Sequence, residues 1–180
     1  MMAGPAAPEA VRLARHALES FVRAKRMPAL PEWLGPVLRD RRAGTFVCIK
    51  KGGILRGCIG TIEPVCRSLA EEIMENAVSA GLRDPRFPPV RAEELSLLSY
   101  TVDVLEPPEP VSSLEELDPW QYGVVVRSGS RKGLLLPDLD GVDSVEEQLE
   151  IALGKAGIPR GAQYEIERFR VVRYGEELDP

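Results

Sequence analysis

Apolar positions between Glu9 and Lys25 recur at helical spacing. Val11, Ala14, Leu18, Phe21 and Val22 fall on one face, which predicts an amphipathic helix. The single histidine, His16, projects opposite that stripe and reads as a solvent-facing residue with no part in chemistry. Pro28, Pro31 and Pro36 then break the chain into a loop. The pattern changes to β-formers at Thr45–Lys50 (TFVCIK) and again at Leu55–Thr61 (LRGCIGT), with Gly52-Gly53 placed for a two-residue hairpin turn. A strict two-residue loop sets Cys58 across from Val47 and turns Cys48 to the other sheet face, so no Cys48–Cys58 disulfide is expected. The LRGCIG segment is expected as an interior strand.

Helical spacing returns from Ser68 to Leu82, where Leu69, Ile73, Ala77 and Ala80 share a face and Ser68 with Glu71 reads as a capping box. Pro85, Pro88 and Pro89 end that helix. Ser99–Leu105 alternates Tyr100, Val102 and Val104 against Thr101 and Asp103, which predicts a half-buried strand. Ser113 with Glu116 caps a short helical turn, and Gly123–Ser128 with Gly133–Leu136 predicts a hairpin around Ser128-Gly129. Ser144 with Glu147 opens a helix to Ala156, stopped by Gly157 and Pro159, and Glu165–Arg173 is the last strand. Two hairpins and grouped strands favour an α+β fold, with a largely antiparallel or mixed sheet flanked by helices. A single domain is expected over residues 8–176, behind a flexible tail at residues 1–7.

Composition narrows the function classes. The 180 residues carry a formal net charge of −5, so a phosphate backbone is repelled at long range and nucleic acid is not an expected partner. Apolar residues make up 44% of the chain, enough for a packed core, yet no run is long enough to cross a membrane. Three cysteines, with no secretory pattern at the N-terminus, point to the cytoplasm and reduced thiols. There is no P-loop, no dinucleotide fingerprint and no Cys-x-x-Cys spacing. One histidine does not support a catalytic triad or a histidine-rich zinc site, and no metal site is expected. Asp138, Asp140 and Asp143 read as a turn, because Gly141 comes too early for a calcium loop.

Two segments carry candidate chemistry. In Leu55-Arg56-Gly57-Cys58-Ile59-Gly60, glycines inside a strand mark a bulge or the close approach of another backbone or a ligand. A regular strand aims Arg56 and Cys58 at one face, where the cation favours the nucleophilic thiolate. The same residues also read as a small buried hydrophobe and a structural partner for a carboxylate. In Asp84-Pro85-Arg86-Phe87-Pro88-Pro89, prolines present Asp84 and Arg86 with little conformational freedom, as ligand binding requires. The alternative there is a connector, with Phe87 plugging the core and Asp84 paired to an arginine. A helix lying antiparallel to its strand returns the chain to the strand's start, so Arg56, Cys58, Asp84 and Arg86 are expected to converge on one cleft.

The segments LRGCIGTIEP, NAVSAGLRDPRFPPV and YGVVVRSGSRKGLLLPDLDGVDSVEEQ resemble the AMMECR domain family over nearly the whole chain. The short, domain-only form is similar to the AMMECR member of the bacterial and archaeal AmmeMemoRadiSam grouping. The resemblance implies an α+β fold with a larger and a smaller lobe and a cleft near LRGCIG. Its implied companions are a Memo-like protein, related to extradiol dioxygenases, and a radical S-adenosylmethionine protein. It brings no assigned cofactor. Tyr122 stands where some members carry histidine, and Glu150–Gly157 lacks the late-helix cysteine of others, which leaves Cys58 as the candidate thiol. Two function classes follow. One is an enzyme or enzyme subunit, with Cys58 as nucleophile or radical-quenching thiol, Arg56 as its activator, and Asp84 and Arg86 placing substrate. The other is a non-catalytic binding domain that docks a protein partner.

Overall fold

The structure, a computed structural model, describes residues 7–175. The described residues form two compact units, residues 7–104 with 173–175 and residues 105–172. The tail expected at residues 1–7 lies outside the described residues, except that Ala7 begins the first helix.

In the first unit, α1 (Ala7–Ala24) buries Val11, Ala14, Leu18 and Val22 as its spacing predicts, and Ala10, Leu13 and Ala17 widen the stripe. His16 is half-buried rather than solvent-facing. The proline-broken loop contains one short helix, α2 (Pro36–Asp40), started by Pro36 at its first turn. β1 (Thr45–Lys51) and β2 (Ile54–Gly60) form the hairpin, and the left-handed φ of Gly52 (58°) and Gly53 (80°) makes its turn. Next comes α3 (Leu69–Leu82), whose N-cap Ser68 accepts from the Glu71 N–H. The Glu71 carboxylate reaches back to the Arg67 N–H rather than to Ser68, so only half of the expected capping box forms. After a 3-10 turn at Ala92–Leu97, β3 (Leu98–Leu105) completes the run.

The first sheet has the order β2-β1-β3-β8, with β8 at Val171–Gly175, which places β2 at an edge and not in the interior. β1 pairs antiparallel with both neighbours. Its inner face carries Val47 and Ile49, aligned with Val102 and Tyr100 of β3, and these join Ile73, Ala77 and Val78 of α3 in one core. Gly81 lets α3 approach Leu18 of α1, since a Cβ there would strike that leucine. The helices therefore lie on one face of this sheet.

In the second unit the sheet order is β4-β7-β5-β6, with β4 (Glu109–Pro110), β5 (Gly123–Ser128), β6 (Arg131–Leu135) and β7 (Glu165–Phe169), all antiparallel. The β5–β6 turn is Gly129-Ser130, one residue later than expected, because Ser128 pairs with Arg131. α4 (Val145–Ala156) has the Ser144/Glu147 capping box and a left-handed Gly157 cap. Its Leu149 and Ala152 pack with Val124, Val126 and Leu135 of the sheet. The expected last strand is two strands, β7 in this sheet and β8 (Val171–Gly175) in the first, divided at Arg170. Among the described residues, no helix is long and apolar enough to cross a membrane.

Candidate functional site

The hairpin register is set by one extra residue. Lys51 and Lys50 align with Ile54 and Leu55, as the two-residue turn dictates, but Ile49 then aligns with Gly57, so Arg56 bulges out of the ladder. Gly57 lies against α3, where a Cβ would fall on the Ala80 carbonyl oxygen. Only glycine fits opposite Ile49 at this approach. The shift carries Cys58 past Val47 and sets it directly across from Cys48, with Cα atoms 4.1 Å apart. The two cysteines form a disulfide, against the expectation of free thiols on opposite faces. The strict register from which that expectation came fails at the bulge.

Inner-face positions of β1 are Val47 and Ile49, so Cys48 and Cys58 occupy the outer face, away from α3. On the adjacent strand Thr101 aligns with Cys48, and Asp103 aligns with Phe46. The row Cys58, Cys48, Thr101 thus crosses three strands on the face that no helix of this unit covers. Asp103 is buried and accepts two bonds from Arg173, at 2.8 and 3.0 Å.

The outer edge of β2 is occupied by the proline loop. Asp84 accepts the Cys58 N–H at 2.9 Å, and Arg86 donates to the Cys58 carbonyl at 3.3 Å. Cys58 therefore directs its backbone groups away from β1, as a non-hydrogen-bonded cross-strand pair does, and such pairs bring side chains closest. Asp84 also accepts the Arg86 backbone N–H and guanidinium. The Arg86 guanidinium first, then the Cys58 and Arg86 backbone N–H groups, outweigh burial and hold the Asp84 carboxyl well below the usual carboxylate range. The Asp84 side chain is 2% exposed and that of Arg86 is 56% exposed, so the pair has a buried end on the strand and an open cationic end.

Arg56 turns to a different partner. Its Nε and Nη2 donate to the two carboxylate oxygens of Glu94, each at 3.1 Å, and Lys51 donates to the same Glu94. Glu94 also accepts the Arg91 N–H at the start of the 3-10 turn. The Arg56 hydrogen bonds lead in holding the Glu94 carboxyl down to about 2. Arg56 Nη1 is buried without a partner among the described residues.

Of the four expected site residues, Cys58, Asp84 and Arg86 are brought into contact, while Arg56 joins Glu94. Cys48, Thr101 and Glu94 were missed. A bulge at Arg56, allowed for by the glycines but not imposed on the register, would have found Cys48. The remaining thiol, Cys66, lies before α3 beside the buried Glu72, which accepts the Val65 and Cys66 N–H groups. Burial, then the carboxylates of Glu72, Glu75 and Glu71, pushes the Cys66 thiol up to about 11. Among the described residues, no cluster of three or more histidine, cysteine or carboxylate groups is placed to hold a metal.

The AMMECR1 family profile matches residues 11–177. A protein of Thermotoga maritima is 51% identical over 166 residues, covering 91% of this chain and 95% of its own length. One from Clostridium acetobutylicum is 50% identical over 167 residues, 92% of this chain, but the match spans only 36% of that longer protein. A protein of Methanothermobacter thermautotrophicus is 42% identical, covering 93% of this chain and 90% of its own. Among solved structures, an uncharacterised protein from Pyrococcus horikoshii superimposes with a TM-score of 0.88 at 30% identity, covering 95% of this chain and 91% of that one.

Proposed function

The chain belongs to the AMMECR1 family, and from that premise we propose that it is an enzyme or enzyme subunit whose reactive group is the sulfur of Cys58. It works in the cytoplasm with a Memo-like protein and a radical S-adenosylmethionine protein. The observation that carries this reading is the placement of Cys58: bonded across the sheet to Cys48 on the face that no helix of its own unit covers, with its backbone held at both polar groups by Asp84 and Arg86. A disulfide in a cytoplasmic protein is usually transient and catalytic or redox-sensing, rather than a structural staple. An external thiol reductant supplies two electrons and two protons, is itself oxidised to a disulfide, and leaves Cys48 and Cys58 as thiols. Cys58 is then the nucleophile. The open end of Arg86 meets an anionic substrate group, with Asp84 orienting it, and Arg56 holds the bulge that presents the sulfur.

The second reading, a non-catalytic docking domain, is favoured by two facts. The polar groups of Asp84 are fully engaged on the strand edge, and the hairpin tip bears Ile54, 74% exposed. One experiment separates the two. Native and reduced protein are treated with a mass-tagged alkylating agent below pH 8, and Cys48→Ser and Cys58→Ser chains are each assayed for complementation in a strain lacking the gene. The enzyme reading expects Cys58 to be labelled only after reduction, and faster than Cys66. It also expects the Cys58→Ser chain to fold and fail to complement. Full complementation by Cys58→Ser leaves the docking domain.

A further inference from the structure

The second unit contains a site of its own, built around Tyr122. Its backbone is fixed twice: the Tyr122 N–H donates to the Asp118 carbonyl at 2.8 Å, and the buried Gln148 donates to the Tyr122 carbonyl at 2.8 Å. Across the sheet Gly123 pairs with Phe169, whose ring fills the space a Cβ on Gly123 would need. Arg168, in β7, and Arg170, just beyond its end, flank the buried Phe169. Their guanidiniums sit 4.5 and 4.9 Å from the Tyr122 ring centroid.

The hydrogen bonds leave donors over. Arg170 donates to the Tyr122 oxygen at 2.7 Å, so the phenol keeps its own O–H to give. Arg168 donates from Nη1 to the Glu116 carbonyl at 2.7 Å and weakly from Nη2 to Glu109 at 3.4 Å. Its Nε is buried and has no partner among the described residues. These groups line a concavity of about 320 Å³, at the low end for small-molecule sites. Glu106 and Glu109 lie on its wall.

Two guanidiniums and two carboxylates around one small hollow select against a simple anion, which meets repulsion as well as attraction. A ligand carrying both signs on groups attached to one carbon meets neither mismatch. We propose that this hollow binds a free α-amino acid. Its carboxylate is received by Arg170 and the Tyr122 O–H, and its ammonium faces Glu106 and Glu109. The contacts of both guanidiniums with the Tyr122 ring hold the donors in place before the ligand arrives.

The test is amide chemical-shift titration of the ¹⁵N-labelled full chain with glycine as the probe. N-acetylglycine, which lacks the ammonium, and glycinamide, which lacks the carboxylate, are the controls. Glycine is expected to shift the Gly123, Phe169 and Arg170 amides saturably, with a Kd on the order of 1 mM, and each control to bind at least tenfold more weakly. Arg170→Gln is expected to weaken glycine at least tenfold, and Tyr122→Phe several-fold with the ring stack retained. The exposed Glu106→Gln gives the sharpest reading, since it should weaken glycine and strengthen N-acetylglycine. No saturable shift, equal binding of glycine and N-acetylglycine, or a Glu106→Gln change that weakens both ligands alike overturns the proposal.

Discussion

The Asp84 carboxylate accepts the backbone N–H of Cys58 at 2.9 Å and is itself clamped by the Arg86 guanidinium at 2.7 Å. An edge strand exposes unpaired backbone groups, and here a side-chain pair takes the place of a further strand. Asp84→Ala leaves the Cys58 N–H without its acceptor and is expected to cost about 1–3 kcal/mol in a urea titration. Asp84→Asn keeps an acceptor and should cost less. The native carboxyl lies below its ordinary 3.8, so its contribution is full above that value and fades as pH falls further. The advantage of wild type over Asp84→Asn should therefore be constant at neutral pH and shrink below pH 4.

The Cys48–Cys58 bond spans 10 residues of a hairpin whose Gly52-Gly53 turn already favours closure. Loop-closure entropy for so short a loop gives at most about 3 kcal/mol, and a preformed turn reduces it. Cys48→Ser is thus expected to lower the denaturation midpoint of the oxidised protein, and dithiothreitol to lower that of wild type to the same point. The variant should not respond to reductant. A wild-type midpoint that ignores dithiothreitol would show that the bond carries no stability.

Much of the fold was legible because its signals are local. The α1 stripe, the Ser68 and Ser144 caps, the Gly52-Gly53 turn and the alternation through Tyr100, Val102 and Val104 each depend on a few neighbouring residues. What was lost depends on distant partners. LRGCIG lies at the sheet edge because residues 84–86, and no strand, take its outer groups. The split at Arg170 sends one apparent strand into two sheets, and nothing in its run of β-formers marks the division. The candidate site failed by one residue. The glycines were legible as a bulge or a close approach, and both occur, but a bulge at Arg56 shifts every later pairing and so exchanges Val47 for Cys48 opposite Cys58. Likewise Arg56 was legible as a partner for a carboxylate, while the identity of Glu94, 38 residues away, was not.

Gly57→Ala tests the cause of that bulge. The added methyl would overlap the Ala80 carbonyl in the backbone of α3, which cannot rotate away as a side chain can. Overpacking of this kind costs about 1–3 kcal/mol and sometimes more. Relief by slipping the hairpin would part Cys48 from Cys58. The variant is expected to be less stable and to show a larger free-thiol count than wild type after air oxidation. Gly53→Ala, at an exposed turn with φ of 80°, should cost only about 1 kcal/mol and leave the thiol count unchanged.

Glu94 joins Arg56, Lys51 and the start of the 3-10 turn, and its carboxyl falls from 4.5 to about 2. A depressed carboxyl stabilises the fold above its unfolded value and loses that contribution as pH falls through its folded one. The window is therefore pH 4.5 down to about 2, with on the order of 3 kcal/mol at stake. Stability measured against pH should decline through that window in wild type and decline less steeply in Glu94→Gln, with the gap between the curves widest near neutrality.

Cys66 supplies an internal reference for thiol reactivity. It is the one cysteine outside the disulfide, and its thiol is pushed up to about 11, by burial first and then by Glu72. Alkylating agents attack the thiolate, so at pH 8 only about one part in a thousand is reactive, about one to two hundred-fold below the fraction of an ordinary thiol at that pH. Cys66 should label slowly in native protein, with a rate that rises tenfold per pH unit through pH 10. Glu72→Gln removes the nearest negative charge but not the burial, so it should speed labelling only in part. The same variant weakens the anchor at the Val65 and Cys66 N–H groups, and its circular dichroism must match wild type before the rates are compared. If native Cys66 labels at pH 8 as fast as a free peptide cysteine, the carboxylate and burial account of this thiol is wrong.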